Sequence, residues 1–185
     1  MNIEFEAKAI KIDKGKIRAK LEELGAELVF AEREFTRITF DNPTLKKNNA
    51  WIRLRDEGKG KVTLTFKVIS DENSIEGMHE VGFEVSDMNA AMVFVEQLGF
   101  ERKGYEKNLR EEWKLGDVIF DIDTWPLIDP YLEIEASSEE QVKKYFEMLD
   151  LNYADASFGS ADILYRDVYG IEILGRESLT FEDTV

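Results

Sequence analysis

Near the start of the chain Ile3-Glu4-Phe5-Glu6-Ala7-Lys8 sets a pattern that later segments repeat, and this repetition limits the possible folds more than any other feature. On a β-strand alternate side chains share a face, so Glu4, Glu6 and Lys8 point one way and Ile3, Phe5 and Ala7 the other. Carboxylates two residues apart lie about 7 Å from each other and, shielded from water, repel by roughly 2 kcal/mol. One such strand is an ordinary half-solvated strand. Several that face each other need cations between their acids. The alternation returns at Glu80-Val81-Gly82-Phe83-Glu84, Asp121-Ile122-Asp123 and Glu133-Ile134-Glu135. It also returns with bases, at Arg53-Leu54-Arg55, at Thr65-Phe66-Lys67 and around Arg110.

Between these strands the sequence predicts helices. Asp13 caps one carrying Ile17, Leu21 and Leu24, with Gly25 as its stop. Ser86 or Asp87 caps a second with Met92, Val95 and Leu98, stopped by Gly99. Ser137 and Glu140 read as a capping box for a third that reaches Leu149, and one more helix is expected around 163–169. Residues 27–40 read as extended, with mixed alternation around Phe35, Arg37 and Thr39; residues 41–49, with Pro43, read as a polar loop. Asp56-Glu57-Gly58-Lys59-Gly60 is a hairpin turn by composition. A weak duplication links Leu24-Gly25-Ala26-Glu27 to Leu98-Gly99-Phe100-Glu101, each following an acidic strand and a helix. The expected fold is α+β: an eight-stranded antiparallel sheet curled into a barrel, with helices on its apolar outside and charged faces turned into a closed tunnel. Tunnel strands would span 2–136 and C-terminal helices 138–185, within one domain of 185 residues.

Composition then removes whole classes of chemistry. Without cysteine, and with His79 as the only histidine, disulfides, thiolate or histidine zinc sites and Ser-His-Asp triads are not expected. Any metal must be a hard ion held by oxygens, Mg²⁺ or Mn²⁺. A net charge of −15 argues against nucleic acid as a partner. No apolar run is long enough for a membrane span, and the opening Met-Asn-Ile-Glu-Phe-Glu lacks a signal peptide's basic and apolar regions, so the chain reads as cytoplasmic.

The acids Glu4, Glu6, Glu80, Glu84, Asp121, Asp123, Glu133 and Glu135 outnumber the bases Lys8, Arg53, Arg55, Lys67 and Arg110 on the inward faces. Carboxylates that hold divalent cations, beside arginines and lysines that hold a polyphosphate bridged by those cations, would reconcile the two sets. The rival is an open sheet whose charged face is merely solvated.

The ordered set of segments resembles the CYTH domain family, the triphosphate tunnel metalloenzymes. Glu4-Phe5-Glu6-Ala7-Lys8 resembles its E-x-E-x-K signature, Arg53-Leu54-Arg55 its R-x-R strand and Thr65-Phe66-Lys67 its lysine strand. Glu80 and Glu84 resemble its acidic fifth strand, Arg110-Glu111-Glu112-Trp113 its basic strand, and Asp123 with Glu133-Ile134-Glu135 its closing acidic strands. The resemblance implies metal ligands among Glu4, Glu6, Asp121, Asp123, Glu133 and Glu135, and phosphate contacts from Lys8, Arg53, Arg55, Lys67 and Arg110. Glu6, Lys8 and Glu84 are the candidates for orienting the attacking water. The implied activity is metal-dependent hydrolysis of an inorganic or organic triphosphate, as by a tripolyphosphatase or thiamine triphosphatase. A class IV adenylyl cyclase, making cyclic AMP and pyrophosphate from ATP, and a non-catalytic polyphosphate- or nucleotide-binding module are the alternatives, and a homodimer is left open. Two departures stand out. Asn108 occupies the place of a family lysine, with Lys107 one residue off the face unless a bulge turns it inward; Gly82 interrupts the glutamates of the fifth strand. Arg33 and Arg37 are candidates to replace the missing charge, while Trp113 and Trp125 read as packing residues.

Overall fold

Period-two alternation becomes a ring of strands. The computed structural model describes residues 2–184, with side chains from residue 5 onward. Its strands are β1 (Asn2–Ala9), β2 (Glu27–Asp41), β3 (Ala50–Asp56), β4 (Val62–Ile69), β5 (Met78–Val85), β6 (Glu101–Leu115), β7 (Val118–Thr124), β8 (Tyr131–Ala136) and the short β9 (Ser178–Leu179). They are hydrogen-bonded in the order β2-β3-β4-β5-β1-β8-β7-β6, and β6 pairs back onto β2 to close an eight-stranded antiparallel barrel. The two-residue β9 lies parallel to β6 outside the ring.

The duplication is visible in this order. Exchanging β1 with β5, β2 with β6, β3 with β7 and β4 with β8 returns the same ring read backwards. The helix ends repeat too. After α1 (Lys14–Glu23) Gly25 has φ +77° and Ala26 N–H bonds to the carbonyl of Leu21; after α3 (Met88–Gln97) Gly99 has φ +87° and Phe100 N–H bonds to that of Val95. Glycine suits both stops because a left-handed backbone there costs other residues energy.

Apolar strand faces point outward against the helices. Ala7, Phe120, Ile122, Leu132 and Ile134 pack with Ile17 and Leu21 of α1 and with Val142 and Phe146 of α4 (Glu139–Met148). Ile38, Phe40, Leu54 and Val62 pack with Ala91 and Val95 of α3. A third cluster joins Trp125 and Tyr131 to Leu164, Tyr165, Ile173 and Leu179, bringing the C-terminal segment against one end of the barrel. No helix among the described residues is long and apolar enough to cross a membrane.

Local details differ from the sequence reading. Residues 41–49 contain a short helix, α2 (Pro43–Lys47), because Asn42 accepts a hydrogen bond from Leu45 N–H and Pro43 already has helical φ. Ser138, not Ser137, caps α4, accepting from Gln141 N–H, while Ser137 bonds to the Gln141 side chain. Leu98 is left 60% exposed, since Ala91 and Val95 take the buried positions of α3. The expected helix around 163–169 is α5 (Ala161–Leu164) continued by a π-helical turn, Tyr165–Tyr169.

Candidate functional site

The inward faces enclose a cavity of about 1010 Å³ lined by Glu6, Lys8, Arg37, Arg53, Arg55, Lys67, Glu80, Arg110, Asp121, Glu133 and Glu135. Register sets these side chains side by side: Glu6 is opposite Glu135, Lys8 opposite Glu133, and Asp121 opposite Glu133 on the other edge of β8. Asp123 is fully buried beside them. The side chain of Glu4 lies outside the described residues.

On the acidic side each cation serves several carboxylates. Lys8 Nζ lies 2.6 Å from Glu6 Oε1 and 3.2 Å from Glu133 Oε2, and donates to the Gly159 carbonyl at 2.6 Å. Arg110 forks onto Asp123, pairs with Asp121 and reaches Glu133 at 3.3 Å. Burial works against the charge of Lys8, but Glu6 and Glu133 outweigh it and hold its ammonium above the ordinary range. Lys8 is thus a cation here, not a base. Burial likewise works against Glu133, yet Lys8 and Arg110 keep it well below the usual carboxylate range. For Asp121 burial dominates despite Arg110 and raises it.

The facing side carries Arg37, Arg53 and Arg55 on β2 and β3. Burial, then Arg55 and Arg37, lowers Arg53 well below its usual value. Arg53 approaches Glu80 only to 4.0 Å, whereas Lys67 meets Glu80 at 2.7 Å. Arg55 pairs with buried Glu57, and this pair lies in an adjoining cavity of about 640 Å³. That cavity also holds Glu84, which is exposed because residues 81–85 pair with β4 but have no partner on the β1 side among the described residues.

Both departures have physical explanations. A Cβ on Gly82 would sit 2.8 Å from Thr65 Oγ1 and 3.2 Å from the Leu64 carbonyl, so a glutamate there would force Thr65 to shift and crowd β4. No bulge turns Lys107 inward: it pairs in register with Thr36 and reaches Glu34 outside the tunnel at 2.7 Å. Arg37 does point inward, and Asn108 accepts a hydrogen bond from its Nε at 3.1 Å while donating to Asp123 at 2.8 Å. Arg33 stacks on Phe30 and lines neither cavity. Trp113 is buried outside the barrel, donating to Glu111, which Arg18 also clasps; Trp125 lines the cavity. Sequence reasoning missed the Gly159 carbonyl as a partner of Lys8, since nothing local marks a contact across 151 positions.

The donors suit a hard divalent ion. All are oxygens, and the buried Oδ1 of Asp121 has no hydrogen-bond partner. Glu135 is pushed up to about 7 by burial and then by Glu133, Glu6 and Glu80, an excess of negative charge that a cation would relieve. No three carboxylates among the described residues already converge as a cage. A pH dependence follows. The folded protein holds the Glu135 proton more tightly than the unfolded chain does, so stability is fullest below the ordinary value of 4.5 and falls as pH rises through about 7. The ligand-free thermal midpoint should therefore drop between about pH 5 and about pH 8, and Glu135→Gln should flatten this slope. Equal slopes in wild type and variant would contradict the assignment.

Comparison with known proteins agrees with this geometry. The family model of the CYTH domain matches residues 2–157. The PH1012 protein of Pyrococcus horikoshii is 30% identical, with a TM-score of 0.70 over 84% of this chain and 94% of that one. A conserved hypothetical protein of Pyrococcus furiosus is 28% identical, with a TM-score of 0.69 over 83% and 94%. HpAC1 of Hippeastrum, described as having a dominant triphosphatase activity, shares the fold at 15% identity, with a TM-score of 0.61 over 93% and 98%. No curated protein matches the sequence.

Proposed function

The chain belongs to the CYTH domain family, and from that premise we propose that it hydrolyses inorganic or organic triphosphates, with Mg²⁺ or Mn²⁺ as cofactor. The observation that carries this reading is the division of the tunnel: carboxylates with Lys8 and Arg110 on β1, β6, β7 and β8 face arginines on β2 and β3. Glu6, Glu133 and Glu135, with Asp121, Asp123 and Glu4, would hold the ion. When bound, the ion supplies Lewis-acid neutralisation of phosphoryl oxygens. Arg53, Arg55, Lys67, Arg110 and Lys8 would bind the remaining oxygens and stabilise charge as the terminal phosphoryl group departs. Such a transfer needs positioning and charge stabilisation more than a covalent nucleophile. Glu6 is the carboxylate we assign to orienting the attacking water, because Lys8 is held protonated and Glu84 is exposed in the adjoining cavity. The ring also keeps bulk water from these contacts, which strengthens each of them.

The test is phosphate release from tripolyphosphate with Mg²⁺ or Mn²⁺. Arg53→Ala should lower kcat/KM by about a hundredfold, as expected for a charge-assisted contact of about 3 kcal/mol. No turnover of any triphosphate would end the hydrolase reading. With ATP as substrate, pyrophosphate plus a cyclic nucleotide would identify a cyclase instead, and binding without product would identify a binding module.

A further inference from the structure

We propose that Arg37, held by Asn108 and backed by Trp125, forms with Arg53 an anion subsite that binds a phosphate group without help from a metal. The proposal rests on the tunnel being a polyphosphate site, and it assigns a residue and a division of labour within it.

Arg37 is only 7% exposed and lines the cavity. Its Nε is committed to Asn108 Oδ1, and its guanidinium lies 4.6 Å from the centre of the Trp125 ring. Its Nη2 is buried and has no hydrogen-bond partner. Among the described residues no carboxylate comes within ion-pair distance of it, whereas buried Lys8, Lys67 and Arg110 each meet one. A buried guanidinium without a counter-charge costs several kcal/mol. Packing against Trp125 does not require that cost, because a methionine would fill similar space without charge. Arg110 and Arg55 add to the cost by repulsion; burial and these two neighbours lower Arg37 to about 10, which leaves it protonated at neutral pH. Arg53 and Arg55 each have a buried Nε without a partner, but Arg55 is already committed to Glu57, whereas Arg53 comes only within 4.0 Å of Glu80.

Positions 37 and 108 are matched. Asn108 is fully buried, and its amide is fixed by donating to Asp123, so its oxygen faces Arg37. A lysine at 108 would place a second positive charge against that guanidinium. The arginines stand on β2 and β3, across the ring from β1 and β8 where Glu6, Glu133 and Glu135 stand. In the register Arg37 is opposite Arg55 and diagonal to Arg53, which is opposite Thr39, and the charge of Arg37 is felt at Arg53. Two forked donors on neighbouring strands of one cavity fit the oxygens of a phosphate, which guanidinium groups bind in pairs. A substrate would thus have one phosphate on the arginines and another on the carboxylate-held ion.

The experiment is calorimetric titration of pyrophosphate and tripolyphosphate in excess EDTA. Wild type should bind both, and Arg37→Met should weaken binding at least about tenfold, one lost charge-assisted contact. The ligand-free midpoint of Arg37→Met should equal or exceed that of wild type, because an unpaired buried charge has gone. Should that variant not fold, Arg37→Lys carries the test: charge is kept, the fork is lost, and metal-free affinity falls all the same. Wild-type binding only in the presence of a divalent ion would overturn the proposal, as would unchanged affinity in the variants. Loss of metal-free binding in a protein that turns over no triphosphate would retire the hydrolase reading and leave the subsite standing. Normal turnover and normal metal-free binding by Arg37→Met would do the reverse.

Discussion

Arg110→Ala should lose about 3–5 kcal/mol of folding stability, the cost of leaving buried carboxylates without their counter-charge. Arg110 is bound by Asp121, Asp123 and Glu133, of which Asp123 is fully buried and Asp121 6% exposed. Without it, Asn108 still donates to Asp123 and Lys8 still reaches Glu133, but Asp121 loses its ion pair. The loss should lower the thermal midpoint by roughly 10 °C in a chain of this size. It should also depend on pH. Asp121 is already raised by burial against the pull of Arg110, so removing the arginine raises it further. A carboxylate whose folded value is raised takes up its proton on folding, and the variant's deficit therefore shrinks as pH falls. Denaturant midpoints at about pH 5 and about pH 8 would measure this; equal deficits at both would mean that the carboxylates do not depend on Arg110. Arg110→Lys should fall between the two, because an ammonium cannot fork onto Asp123. In the proposed activity Arg110→Ala should also cost at least about a hundredfold in kcat/KM, since it removes a phosphate contact and disturbs the acids beside it.

How much of this was legible follows from the range of each signal. Glu6, Lys8, Glu133 and Glu135 share a face by alternation alone, so their convergence is already implied once several such strands exist. Gly25 and Gly99 mark equivalent helix ends, so the duplication underlying the ring can be seen from short segments. What alternation cannot give is depth along the tunnel. Glu80 and Glu84 are on one face of β5, yet one meets Lys67 and the other is exposed, because among the described residues β1 pairs with β5 only through Asn2–Glu4. Nor does it choose between Lys107 and Arg37 for the missing charge. That choice is made by the unbroken pairing of Phe35 with Asn108 and Thr36 with Lys107, between strands some seventy positions apart. Gly82 gives no local hint either, since the crowding that a side chain would meet comes from Thr65 on the next strand. Contacts from the C-terminal segment are the least legible, because no periodic pattern predicts a carbonyl.

One of those contacts supports the second large effect. Lys8 is 2% exposed, and besides its two carboxylates it holds the Gly159 carbonyl, while its own backbone bonds both ways with Ser157. Gly159 has φ +76°, and a Cβ there would fall 2.6 Å from Ile163 Cδ1, so the loop bearing this carbonyl is tightly fitted. Lys8→Met keeps most of the stem and removes the charge. Glu6 then loses the ammonium beside it and the Gly159 carbonyl loses its donor, and the expected cost is about 3 kcal/mol or more. Glu133 is normally held low, so its ionised form adds stability above the ordinary value of 4.5, stability that is lost as pH falls; with Lys8 gone this contribution shrinks, and the deficit is largest at neutral pH. Neutralising the partner left without its counter-charge as well, in Lys8→Met/Glu6→Gln, should recover part of the stability, because removing both members of a buried pair costs less than removing one. Activity should not recover with it. Phosphate release should stay at least about a hundredfold down in both variants, since the double change also removes the carboxylate assigned to the water. Hydrogen exchange read over residues 157–166 should speed up in Lys8→Met if the ammonium is what holds that segment to β1. Unchanged exchange there, in a variant that has lost stability, would put the cost of the mutation on the carboxylates alone.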